Sequence, residues 1–121
     1  MPIRKCVDLD VYNLSFSLAM DIFKETKHFP KEEQYSLTDQ IRRSSRSVSA
    51  NIREGFAKRR YNDVFIRHLN DALGSSEETL VWIEFAQQCG YLIKEKYNTL
   101  HNQYEKVGAM IYKLMNNWEK F

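Results

Sequence analysis

Apolar residues recur at three- and four-residue spacing in four separate stretches of the chain, the period of helices with one buried face. In the first stretch Val11, Leu14, Leu18, Ile22 and Phe23 share a face, with Ala19 beside them. This predicts a helix over about 9–27, ended by Phe29-Pro30 because the residue before a proline is pushed out of the helical region. After a connection over 31–35, Leu37, Ile41, Val48 and Ile52 form the stripe of a second helix over about 36–54. Ser36 with Asp39 three residues on resembles a capping box. Gly55 suits the left-handed residue that stops a helix, with Phe56 just beyond. A third helix, about 63–88, carries Phe65, Leu69, Ala72, Ser76, Thr79, Ile83 and Ala86, widened by Leu73 and Leu80. Asn62 is placed to cap its start and Gly90 to end it. Gly74 costs about 1 kcal/mol relative to Ala in a helix interior, so a packing reason for it is expected. In the fourth, about 93–118, Tyr97, Leu100, Tyr104, Val107, Ile111, Leu114 and Trp118 alternate strictly by three and four, a coiled-coil-like seam.

Four amphipathic helices with short connections predict an all-α fold, an up-down-up-down antiparallel four-helix bundle occupying 1–121 as one domain, with 1–8 as a short tail. The 121 residues are long enough to bury a core, and 43% are apolar. No apolar run approaches the ~20 residues of a membrane helix. Arg4 and Lys5 are followed by Asp8 and Asp10 where a signal peptide needs an apolar stretch. Cys6 and Cys89 stand in no metal or redox spacing and read as reduced thiols. The expectation is a cytoplasmic protein without a membrane partner.

Catalytic chemistry finds little footing. Metal sites in helix bundles need a Glu-x-x-His pair from each of two helices plus further carboxylates. Glu25 and His28 have that spacing once, at a helix end, and His68 and His101 have no such partner. All three histidines read as surface or helix-end residues. There is no glycine-rich phosphate loop, nucleophile elbow or zinc pattern. The expectation is no enzyme, no metal, no cofactor and no small-molecule substrate.

Charge changes the picture. Between Arg42 and Arg60 stand seven basic residues, Arg42, Arg43, Arg46 and Arg53 on the second helix and Lys58, Arg59 and Arg60 in an exposed loop after it, against one acid, Glu54. That segment is net +6 in a chain of net +2, so the rest sums to −4. At about 100° per residue Arg42, Arg46, Ser49 and Arg53 fall together, roughly a third of a turn from the apolar stripe. Ser44, Ser45, Ser47 and Ala50 are small and admit a close neighbouring helix, and Asn51, if buried, needs a hydrogen-bond partner. Three readings stay open. The seven basic side chains contact the phosphates of RNA or DNA, they form a solvated basic face, or they pair with Glu77, Glu78 or Glu84 of the acidic third helix in the same or the next subunit. Trp82 and Phe85 lie off the main apolar face of the third helix and point to a surface that meets another copy of the chain.

The segments FPKEEQYSLTDQIRRSSRSVSANIREGFAKR and HLNDALGSSEETLVWIEFAQQCGYL resemble the four-helix bundle family of 23S rRNA intervening-sequence proteins, with the likeness running from about Val11 to Leu114. The family's usual N-I-A-E-G stands here as Asn51-Ile52-Arg53-Glu54-Gly55, with Arg in place of the small residue. The resemblance implies a ring-like homo-oligomer with a pentamer favoured. It also implies a shape similar to the basic accessory proteins of diversity-generating retroelements, which bind nucleic acid and a reverse transcriptase. The family name records where the genes lie and does not establish a biochemical activity. Together these readings lead to an oligomeric binding protein for RNA or DNA, against a scaffold whose arginines serve subunit contacts.

Overall fold

The computed structural model describes residues 2–118. Its long elements are α1 (Asp10–Thr26), α2 (Leu37–Ala57), α3 (Asn62–Gln88) and α4 (Lys94–Asn117), and among the described residues there is no strand. Each helix packs on the next and α4 closes back on α1. The pairings between elements run antiparallel throughout. Tyr12 meets Arg53 while Phe23 meets Arg42. Ser44 meets Thr79 while Asn51 meets His68. This is the up-down-up-down bundle. Among the described residues no helix is long and apolar enough to cross a membrane.

The core follows the apolar stripes. Ile22, Ile41, Val48, Ile52, Phe65, Leu69, Ile83, Leu100, Tyr104, Val107 and Ile111 are essentially inaccessible. One end is closed by aromatic rings, with Phe56 and Phe65 edge-on at 6.2 Å and Phe65 and Trp118 at 4.6 Å. At that same end the segment expected as a tail is structured. Residues Cys6–Asp8 form a 3₁₀ turn whose Asp8 carboxylate accepts from the Arg4 and Lys5 amides, and Cys6 and Leu9 join the core.

The helix ends correct several sequence expectations. Gly55 does not stop α2, which continues to Ala57, and Gly90 is the one described residue with positive φ. Gly90 does end α3: at φ +80° its amide donates to the Gln87 carbonyl and the Tyr91 amide reaches back to Ala86 at 2.8 Å. Ser36 makes no capping bond; Glu33 instead accepts from the Leu37 amide at 3.3 Å. Asn62 is the first residue of α3 and not its cap, which is Tyr61. Gly74 lacks the packing reason expected of it, since a Cβ there would meet nothing within 4 Å.

Candidate nucleic-acid interface

The placement of the basic residues follows from how α2 divides its circumference. Its apolar stripe, Leu37, Ile41, Val48 and Ile52, faces the bundle axis. The flank toward α3 is built from short polar side chains that let the helices approach. The Ser44 and Thr79 hydroxyls are 2.9 Å apart, as are those of Ser47 and Ser75. Asn51 donates to the Ser47 carbonyl and hydroxyl, and its amide oxygen sits 3.3 Å from His68 Nδ1. Asn51 thus has the partners its half-buried position requires. His68, expected on the surface or at a helix end, belongs to this seam. What remains for the arginines is the arc of α2 facing α1 and solvent.

There Arg42, Arg46 and Arg53 lie over aromatic rings of α1. Arg42 is half-buried, its Nε donates to Thr26 Oγ1 at 2.8 Å, and its guanidinium carbon is 4.8 Å from the centre of the Phe23 ring. Arg46 is exposed and 5.8 Å from the same ring. Arg53 is exposed, 5.8 Å from the Tyr12 ring, and donates from Nη1 to the Tyr12 hydroxyl at 3.4 Å. Arg43 and Arg60 are exposed, Arg60 lying 5.4 Å from the Tyr61 ring. A cation over a ring face is attracted by the ring quadrupole, and a guanidinium there keeps donors free in its own plane.

Two members of the set are committed elsewhere. Lys58 makes an exposed ion pair with Glu54 at 3.0 Å, which together with His68 holds the Glu54 carboxyl below its usual range. Arg59 is half-buried, 4.0 Å over the Phe56 ring, and donates to the Phe56 carbonyl at 3.1 Å. It caps the end of α2 and is no free loop residue.

The contest over the arginines turns on carboxylates. Among the described residues, none of the six arginines in the segment comes within 4.0 Å of a carboxylate oxygen. Glu78, a candidate partner, instead accepts from Trp82 Nε1 at 3.0 Å. The structure thus forms no pair between these six side chains and Glu77, Glu78 or Glu84 of the same subunit. The seam uses serines, threonine and asparagine, while Arg42, Arg46 and Arg53 face α1.

Sequence reasoning missed the rings beneath them. Phe23, which shares the spacing of the core face of α1, is half-buried and carries Arg42 and Arg46. Tyr12 and Phe16, 6.1 Å apart, belong with it. The signal was present as a second apolar stripe on α1, with Tyr12, Phe16, Ala19 and Phe23 spaced by four, three and four residues. On α3, Trp82 is half-buried and Phe85 is 54% exposed, with ring centres 5.9 Å apart. Among the described residues no three His, Cys, Asp or Glu side chains converge as metal ligands.

A family model described as 23S rRNA-intervening sequence protein matches residues 7–113. A solved structure, that of a protein of unknown function from the S23 ribosomal protein family of Bacteroides thetaiotaomicron, superposes with a TM-score of 0.79. It is 28% identical, and the match covers 88% of this chain and 95% of that one. No curated protein matches the chain.

Proposed function

The chain belongs to the 23S rRNA-intervening sequence protein family, and from that premise we propose that it is a non-enzymatic, self-associating protein that binds RNA or DNA through the outer face of α2 and the loop that follows it. One observation carries the reading: Arg42, Arg46 and Arg53 of that face are held over aromatic rings with no carboxylate within 4.0 Å among the described residues. Desolvated or paired arginines would have spent their donors, whereas these keep them for phosphate oxygens. Arg43, Arg46, Arg53 and Arg60 are the phosphate contacts; Arg42 and Arg59 hold the surface in shape, and Lys58 contributes charge partly offset by Glu54. The two free thiols fit a cytoplasmic setting.

Self-association rests on the Trp82–Phe85 pair, apolar rings left on the outside of α3. The pentamer implied by the sequence resemblance is the assembly we propose, and a ring would present one arginine face per subunit. The rival reading, a scaffold in which the arginines bridge to a neighbouring copy, draws on the exposed Glu77, Glu78 and Glu84 of α3.

The test is a binding titration at several salt concentrations, with the mass followed by light scattering. Log affinity is expected to fall linearly with log salt, by about 0.9 per duplex phosphate neutralised. Arg43→Gln with Arg60→Gln should weaken binding and flatten that slope at unchanged mass. No binding by the wild type at low salt, or loss of the oligomer on replacing Arg46 and Arg53, would move the arginines to the scaffold reading. Phe85→Ser should lower the mass if that ring lies between copies.

A further inference from the structure

The outer face of α2 adjoins a groove of about 350 Å³ between α1 and α2, and its composition is unlike that of a phosphate site alone. Its floor is apolar, with Phe16 51% exposed and Met20 44% exposed. Arg46 and Arg53 line it from α2, and Tyr12 from α1. We infer that this groove takes single-stranded nucleic acid, with bases laid against Tyr12 and Phe16 and the backbone held by Arg46 and Arg53. The inference rests on the nucleic-acid reading above and adds the strand state and the aromatic contacts.

The argument is one of two parallel rows. Along α1 run the rings of Tyr12, Phe16 and Phe23, spanning eleven residues, or roughly 16 Å at the helical rise. Along α2, antiparallel to it, run Arg53, Arg46 and Arg42, spanning the same number of residues. The rows are tied at both ends, Arg53 to Tyr12 and Arg42 to Phe23. Between the two cation-covered rings Phe16 stays exposed, with no cation over it among the described residues, and an open ring beside Arg46 and Arg53 suits a single strand, whose bases are free to stack on side chains while its phosphates follow the charge. A duplex keeps its bases stacked on one another and offers this apolar floor nothing to hold. Charge complementarity separates this occupant from a neutral apolar helix: the groove is lined by two arginines and no acidic residue, and neither arginine has a carboxylate within 4.0 Å among the described residues.

The experiment uses the full-length protein with a fluorescently labelled oligothymidylate of about a dozen nucleotides, within the range of known single-strand sites, and a duplex of equal length. The wild type should bind the single strand more tightly. Phe16→Leu keeps the apolar bulk and removes the ring, and should weaken single-strand binding about fivefold or more, the loss of one stacked base. Duplex affinity should hold, and Phe16→Trp should restore the single-strand affinity. Arg46→Gln with Arg53→Gln should reduce the single-strand salt slope by about 1.4, two phosphates at 0.7 each. Equal affinity of wild type and Phe16→Leu for the single strand overturns the inference while leaving duplex phosphate binding standing. A drop in oligomer mass on Phe16→Leu overturns it in favour of a second copy in the groove. Failure of the wild type to bind either probe removes this inference and the proposed function together.

Discussion

Gly55 and His68 stand so close that no side chain fits between them: a Cβ at position 55 would lie 2.5 Å from the Cβ of His68 and 3.1 Å from Cδ1 of Phe65. The first of these atoms is fixed to the α3 backbone, so rotamer changes cannot relieve the clash and the helices must part. Gly55→Ala is therefore expected to destabilise the bundle by about 1–3 kcal/mol, the usual cost of overpacking. Urea unfolding should show a lower midpoint at unchanged slope. A midpoint at or above the wild type would mean that α2 and α3 separate freely at this point.

Gly74 predicts the opposite sign. It sits inside α3 with open space around its Cα. Gly74→Ala should stabilise the protein by roughly 0.5–1 kcal/mol, by helix propensity and a smaller unfolded-state entropy. Thermal unfolding checks it. A loss of stability together with a lower oligomer mass would place a neighbouring copy against this stretch of α3.

Arg59 and Arg60 are adjacent in sequence and unequal in structure. Arg59→Gln loses the ring contact with Phe56 and the bond to the Phe56 carbonyl, and should cost about 1 kcal/mol. Arg60→Gln, on an exposed side chain, should change stability by less than about 0.5 kcal/mol. Denaturant midpoints of the two variants decide it, and equal values would return Arg59 to the loop.

Two tyrosines make stability fall at alkaline pH. The Tyr91 hydroxyl donates to Glu33 at 2.8 Å, and this bond to the carboxylate, with some burial, pushes its pKa from 10.0 up to about 12. Burial of Tyr104 moves its hydroxyl in the same direction. Both groups have folded pKa values above their unfolded ones. The stabilisation at Tyr91 is therefore complete below pH 10 and is lost as pH climbs through about 12, and that at Tyr104 is lost in the same direction. Ultraviolet titration of Tyr91→Phe should lack a late-ionising step, and Glu33→Gln should move that step to lower pH. An unchanged titration in Glu33→Gln would show that the carboxylate is not its cause.

The seams of the four helices were legible in the chain because burial imposes a period: Leu100, Tyr104, Val107, Ile111 and Leu114 are core residues by spacing alone, and so are Phe65, Leu69 and Ile83. Gly90 was legible as well, because positive φ selects glycine. The concentration of charge between Arg42 and Arg60 needs only counting. What the arginines touch needed the tertiary structure. Periodicity says which side of a helix seeks the core but not which neighbour covers each flank, and a guanidinium suits a carboxylate, a phosphate or a ring almost equally well. Only the packing of α2 between α1 and α3 turned Ser44, Ser47 and Asn51 toward α3 and left Arg42, Arg46 and Arg53 over the rings of α1. The same packing gave Gly55 its role, since the need for a missing side chain arises only where another helix, carrying His68, arrives to fill the space.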